Sequence, residues 1–244
     1  TMAFQQAQKE GANFTLTRLE SLSHNENLFV GVDVDGQEHT ALSAIVATGR
    51  VPKRLAVANP NMGGVHFCSI CDGPLYRGKN ATLAVVGSDN TAAQHALTLA
   101  RTADKVLLIC RSNALKKDAV HKDQIQQQNN IALMTNTEVS GYNGQEFVES
   151  IAVAAKEKGR QDLAVDGIFL AIGWRPNISA LNLEVQKTAE GYLATNEKLM
   201  TSFPGLFAAG DIRDTDMWQV LTACADGARA AKYAAEYLEK LTPV

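Results

Sequence analysis

The sequence predicts an α/β protein built on Rossmann-type nucleotide-binding layers. Three observations carry that expectation. A strand–turn–helix–strand run lies between residues 81 and 110, a small β-meander precedes it, and two apolar strands leave through a glycine, at Ala47-Thr48-Gly49 and at Ala171-Ile172-Gly173. In chain order, residues 3–10 read as a helix. Residues 13–20, 28–35 and 40–47 read as strands, joined by turn-forming Ser23-His24-Asn25 and Asp35-Gly36. Past Gly49, Val51-Pro52-Lys53 and the Pro60, Gly63, Gly64 cluster break regular structure and mark a domain crossing. Residues 81–86 form an apolar strand, 87–90 a turn, 91–102 a helix with Ala92, Ala96, Leu97 and Ala100 on one side, and 105–110 the next strand. A polar helix over 117–129, a strand over 131–136 and an antiparallel excursion over 145–155 follow. A buried strand over 166–173 closes the unit and marks a second crossing. The last long element is a helix over 218–241.

With 244 residues, 45% of them hydrophobic, the chain can bury one large or two medium cores without disulfides or metals. A net charge of −3 gives no electrostatic reason to expect nucleic acid or an anionic membrane as partner. No apolar run approaches the ~18–20 residues that span a bilayer, and the opening residues lack the layout of a signal peptide. The reading is therefore a cytoplasmic protein that handles small molecules or other proteins.

Four cysteines, Cys68, Cys71, Cys110 and Cys224, are too few for a secreted disulfide framework. Cys68-Ser69-Ile70-Cys71-Asp72-Gly73 is the most specific signal in the chain. At C-x-x-C spacing in a reducing compartment a pair is redox-active or metal-binding, because a structural bridge does not persist there. Redox exchange needs one thiol with a lowered pKa and a nearby group to move protons, and Asp72 is placed for the second task. Zinc would need two further ligands, and no second C-x-x-C or H-x-x-x-H exists. A chance pair of cysteines stays open at this point. His66, two residues before Cys68, is placed to tune the thiol, but a lone histidine is more often structural and no role is assigned to it.

C-x-x-C-D-G ahead of a βαβ unit, then A-I-G-x-x-P-N at residues 171–177, then F-A-A-G-D at 207–211, is an ordered series that resembles the bacterial-type thioredoxin reductases over nearly the whole chain. The resemblance implies two Rossmann-like three-layer domains. The flavin domain is discontinuous, formed by residues 1–50 and 174–244, and the pyridine-nucleotide and dithiol domain is residues 51–173. It implies FAD beside Thr48, Gly49, Gly210, Asp211, Gln219 and Val220. It implies NADPH beside Gly87, Asn90, Thr91 and Arg111. Cys71 becomes the flavin-facing cysteine, Cys68 the one that exchanges with a thioredoxin-like protein, and Asp72 the acid. A homodimer is the implied assembly.

The sequence departs from that pattern twice. The first strand of the family, with its G-x-G-x-x-G/A turn and helix for the flavin pyrophosphate, has no counterpart before residue 50, and the chain opens on Thr1 instead of methionine. A fragment lacking the first βαβ unit is the expectation, with weak or no FAD binding by the chain as given. In the second nucleotide turn, Asp89 stands where the family has a glycine, and only Arg111 and Lys116 remain of the basic 2′-phosphate clamp. These changes open two further readings. One is a flavoprotein disulfide reductase with another donor, such as a reduced ferredoxin. The other is a non-catalytic redox-sensing or nucleotide-binding module.

Overall fold

A computed structural model describes residues 2–116, 121–156 and 159–241. Helix α1 (Met2–Lys9) comes first and buries none of its residues. The expected strand over 13–20 is displaced: β1 is Leu19–Asn25, paired antiparallel with β2 (Leu28–Asp33) so that Asn25 faces Leu28. The reversal lies at Glu26 and Asn27, both in the left-handed region at φ 48° and 69°, as a two-residue hairpin turn of the primed type requires. Ser23-His24-Asn25, expected as the turn, is therefore strand. The strand expected over 40–47 divides at Leu42-Ser43. β3 (Glu38–Ala41) completes the meander with β2, whereas β4 (Ala44–Val46) leaves it for a different sheet.

The chain continues through β5 (Arg50–Pro52), β6 (Val65–His66), α2 (Ser69–Asp72), a 3-10 turn over Gly73–Tyr76, β7 (Thr82–Val86), α3 (Asn90–Leu99) and β8 (Lys105–Ile109). Next come α4 (Lys122–Gln127), β9 (Ile131–Met134), β10 (Thr137–Asn143), β11 (Ser150–Ala155), β12 (Gly159–Ala164) and β13 (Gly167–Leu170). The final elements are β14 (Trp174–Pro176), β15 (Leu206–Ala208) and α5 (Val220–Leu241). Of the helix expected over 117–129, residues 117–120 lie outside the described residues, and Gln128 is already extended. The excursion expected over 145–155 is larger. Three strands form it, and Gly144, at φ 146° where a Cβ would collide with the Phe147 carbonyl, starts the connection between the first two.

The contacts divide the chain into two units, residues 1–51 with 175–244, and residues 52–174. The second unit has a five-stranded parallel sheet in the order β6-β13-β7-β8-β9. Alternation along its strands splits the core into two faces. Leu83, Val85, Val106, Leu108 and Phe169 pack with Ala92, Ala96 and Leu99 of α3. Ala84, Val86, Leu107, Ile109 and Ile168 pack with Val139, Ile151 and Val153 of the β10-β11-β12 meander. The layers are helix, parallel sheet, meander.

The first unit repeats this plan in reduced form. β4 and β15 make a two-stranded parallel pair, Ala44 opposite Leu206 and Val46 opposite Ala208. Val46, Leu206 and Ala208 pack on Phe29 of the β1-β2-β3 meander. Phe207 and Ala209 face the other way, onto Ala230 and Ala234 of α5. Among the described residues this unit contains no βαβ crossover. No described helix is long and apolar enough to cross a membrane.

Candidate active site

β6 runs parallel to β13, with Val65 opposite Ile168 and His66 opposite Phe169, and delivers the chain to Cys68. Cys68 is the N-cap of α2, extended at φ −135° and ψ 104°, and its Sγ accepts the Cys71 amide N–H at 3.1 Å. An amide aimed at sulfur favours thiolate over thiol. Cys68 and Cys71 are joined as a disulfide with Cα atoms 5.3 Å apart; Cys68 is half-buried and Cys71 exposed. Gly73 lets this turn sit on α3, because a Cβ there would come to 3.0 Å from Leu99 Cδ2.

Asp72, the expected acid, is not alone. Its Oδ2 lies 3.2 Å from His66 Nδ1, and His66 Nε2 lies 2.7 Å from the Tyr76 hydroxyl. The imidazole stacks on Phe169 with ring centroids 4.8 Å apart. Burial lowers the His66 pKa, with the Asp72 charge and hydrogen bond opposing it. Burial also raises that of Tyr76, aided by Asp166 and Asp72. A neutral imidazole between a carboxylate that can only accept and a phenol that can donate has one consistent tautomer: Nδ1–H donates to Asp72 and Nε2 accepts from Tyr76.

The β7–α3 turn carries the expected nucleotide residues. Gly87, at φ 153°, is required by close packing: a Cβ would meet the Ala171 carbonyl oxygen and come to 2.8 Å from Ala92 Cβ. Cys110 donates its thiol proton to the Gly87 carbonyl at 3.0 Å, and burial pushes the thiol pKa up to about 11, so it is an inert neutral donor. Asn90 and Thr91 are exposed in the first turn of α3. Asp89 is the N-cap of that helix and accepts the Ala92 N–H at 3.1 Å. It thus takes up one of the free helix-terminal amides that a phosphate would use. Arg111 is exposed and 3.8 Å from Glu138, and Ser112 donates to the Ala114 carbonyl at 2.6 Å.

In the first unit the glycine-led exit after β4 is tied to Asn177. The Thr48 hydroxyl donates to the Asn177 carbonyl at 2.6 Å, and the Asn177 amide donates to Gly49 O at 2.9 Å. Gly210, at φ 72°, follows β15 against α5, where a Cβ would come to 3.1 Å from that of Ala223. Its N–H donates to buried Asp226 Oδ2 at 3.1 Å. Asp211 Oδ2 lies 3.3 Å from Arg50 Nε, and the Arg50 guanidinium lies 4.6 Å over the Trp218 ring, just ahead of Gln219 and Val220. Arg50 and Trp218 thus bring the separate flavin candidates into one neighbourhood. Trp218 Nε1 is buried with no hydrogen-bond partner among the described residues, while Val220 and Leu221 are 79% and 82% exposed. An apolar surface beside a carboxylate and an orphaned N–H fits the ring and ribityl half of a flavin. The pyrophosphate half has no glycine-rich turn among the residues of this unit.

The sequence pattern of the family described as pyridine nucleotide-disulphide oxidoreductase matches residues 5–227. A thioredoxin reductase of Treponema pallidum (strain Nichols) is 32% identical over 240 residues, which is 97% of this chain and 77% of the relative. The chain belongs to the pyridine nucleotide-disulphide oxidoreductase family. A 34.2 kDa protein in the rubredoxin operon of Clostridium pasteurianum is 31% identical over 221 residues, 89% of this chain and 70% of the relative. The crystal structure of thioredoxin reductase from Streptococcus pyogenes MGAS5005 superposes with a TM-score of 0.79 at 26% identity, covering 98% of this chain and 79% of that one.

In this pyridine nucleotide-disulphide oxidoreductase, sequence reasoning passed over Arg50, Trp218, Asp226 and Tyr76, and gave His66 no role. The first three act across long sequence separations that no local pattern encodes. Tyr76 lies four residues after Asp72, close enough to be noticed, but its link to Asp72 runs through His66 and is set by the parallel pairing of β6 with β13.

Proposed function

We propose that the chain carries out the dithiol–disulfide exchange of a thioredoxin reductase-like flavoprotein, delivering electrons to a thioredoxin-like protein. The observation that carries this reading is the Cys68–Cys71 disulfide seated at the start of α2, with an amide aimed at Cys68 Sγ and Asp72 next in the chain. Residues 1–50 and 174–244 are assigned to flavin binding and residues 51–173 to the dithiol and pyridine nucleotide. Thr48, Gly49, Gly210, Asp211, Gln219 and Val220 would hold the flavin, which when bound supplies the electron pair that opens the disulfide. The remaining chemistry belongs to this chain. The Cys68 thiolate attacks one sulfur of the partner disulfide, forming a mixed disulfide and releasing one partner thiolate, which takes up a proton. Cys71 then attacks Cys68 Sγ, restoring the intramolecular bond and releasing the second partner thiol.

This order has a direct test. In a Cys224→Ser background, which removes the other exposed thiol, Cys71→Ser is expected to form a stable mixed disulfide through Cys68. The target is a thioredoxin-like protein lacking its own resolving cysteine and activated as an aryl mixed disulfide. Mass spectrometry without reductant reads the adduct. Failure of Cys71→Ser to form it, or equal yield from Cys68→Ser, would refute the assignment.

A second reading, in which the electron donor is not NADPH, is favoured by one observation: Asp89 caps α3 where a pyrophosphate would sit. Two unit charges ~4 Å apart repel by about 4 kcal/mol at an effective dielectric near 20, before further screening. Asp89→Gly costs the helix only about a few tenths of a kcal/mol and should tighten NADPH binding roughly tenfold or more, at about 1.4 kcal/mol per decade. Ser112→Arg on top of it should tighten binding further and prefer NADPH over NADH, since a planar guanidinium grips a phosphate in bidentate fashion. Titration followed by intrinsic fluorescence measures both. Micromolar binding already in the wild type, unchanged by either substitution, would return the chain to ordinary NADPH dependence.

A further inference from the structure

We propose that His66 is a positioning residue for the proton step of exchange, orienting the Asp72 carboxylate through Nδ1–H while the Tyr76 hydroxyl fixes the imidazole tautomer at Nε2. The inference rests on the exchange reading above.

Every part of the arrangement is held from outside the loop that carries the cysteines. The His66 ring is clamped by stacking on Phe169 of β13 and edge contact with Tyr76. Tyr76 is fixed in turn because its hydroxyl packs where a Cβ of residue 167 would be, and that residue is Gly167. The ionisable groups facing this cluster are Asp72 at the end of α2, Tyr76 on the 3-10 turn, and Asp166 ahead of β13, whose Oδ2 accepts the Thr82 N–H at 2.8 Å. The Asp72 charge favours the imidazolium, but desolvation of the part-buried ring outweighs it, so the neutral ring is the favoured form and has a single proton to place. The carboxylate takes it. Asp72 is about one-third exposed (35%), and an unanchored carboxylate so placed would sample several rotamers. Anchoring Oδ2 on a rigid ring removes that freedom, which is the kind of pre-organisation that speeds a proton transfer.

The step balances as follows. Cys68 attacks as the thiolate that the Cys71 amide favours, its proton having already passed to Asp72 in the reduced dithiol; the Cys68–S bond forms and the partner S–S bond breaks. The released thiolate takes the proton from Asp72. In the resolving step the Cys71 proton follows the same route to the second leaving thiolate. Two thiol protons leave the chain and two partner thiols receive them, with no outside oxidant.

An aryl thiolate leaves without a proton, whereas an alkyl thiolate is a poorer leaving group and gains from one. The full chain, pre-reduced and in the Cys224→Ser background, is therefore mixed with an excess of dithiobis(nitrobenzoate) or of hydroxyethyl disulfide, and single-turnover rates are compared. His66→Ala is expected to slow the alkyl reaction about tenfold, a modest part of what a positioned acid contributes, and to leave the aryl rate within about twofold. Asp72→Asn should show the same selectivity. His66→Asn, which keeps a donor toward Asp72, should recover most of the alkyl rate, and Tyr76→Phe should lose an intermediate amount. Equal slowing with both disulfides would reduce His66 to a packing role, and unchanged rates with both would remove any role; either result overturns the proposal. If Cys68→Ser leaves the alkyl reaction intact, the exchange reading itself has failed, an outcome that no His66 variant can mimic.

Discussion

Cys68→Ser and Cys71→Ser are each expected to abolish multiple-turnover disulfide reduction in the flavin-loaded protein. Exchange needs an attacking thiolate and a resolving one, and the two reside on different sulfurs of one four-residue turn. A serine hydroxyl in place of either thiol forms no disulfide, so the electron pair has no carrier. Loss of fold would imitate this result, and the comparison is therefore with reduced wild type, which also lacks the bridge. Unfolding midpoints of both variants should match reduced wild type within a few degrees, because Cys68 and Cys71 lie outside the buried core of the sheet. Turnover of an oxidised thioredoxin-like protein, followed anaerobically, reads the effect. Retained turnover in either variant would sink the dithiol role, since neither Cys110, buried and neutral, nor Cys224, on α5, is positioned to replace it.

The second large effect concerns stability. Asp226→Ala is expected to destabilise the first unit by about 3–5 kcal/mol, the usual cost of removing one partner of a buried pair. Asp226 is 6% exposed on α5 and accepts from the Gly210 N–H and from Nε and Nη2 of Arg213. Truncation leaves a mostly buried guanidinium unpaired and a buried amide unsatisfied. Asp226→Asn keeps an acceptor for Gly210 and should cost less. Burial pushes the Asp226 carboxyl up, but the Arg213 hydrogen bond, the Gly210 amide and the charges of Arg213 and Arg229 outweigh it and leave the pKa below its ordinary 3.8. A depressed folded pKa contributes stability that is present above pH 3.8 and is lost as pH falls toward the folded value. Wild type should therefore lose stability in that acid window while Asp226→Ala loses none there by this route. Denaturant titrations at several pH values measure the difference; parallel pH curves for the two proteins would contradict it. Because Gly210 leads into Asp211, the same substitution should weaken any flavin contact made by that turn.

The second-unit βαβ was legible because its signals are local. Apolar alternation marks β7 and β8, and alanines on one side mark α3. The C-x-x-C-D-G segment was legible for the same reason. Boundaries failed where the deciding partner was remote. Residues 23–25 looked like a turn, and only pairing with residues 28–30 made them strand. Residues 40–47 looked like one strand, and β15, more than 150 residues away in sequence, pulled its second half into another sheet.

Asp89 shows the same division at the level of one side chain. Its type at that place raised the expectation of a phosphate site altered from the family pattern, because a carboxylate stands where the resemblance implies the glycine that admits a pyrophosphate. Ser88, Asp89, Asn90 and Thr91 can each cap a helix, however, and the sequence does not choose among them. The close packing of Gly87 on Ala171 and Ala92 sets where α3 begins and makes Asp89 the cap. The sequence by itself determined the fold class, the C-x-x-C pair and the aspartate next to it, since propensity, periodicity and motif spacing are properties of short stretches. Tertiary structure alone decided that Asp72 is joined through His66 to Tyr76, that Asp211 meets Arg50, and that Gly210 is held by Asp226. Those contacts depend on strand order and helix packing, which bring together side chains whose spacing along the chain carries no pattern.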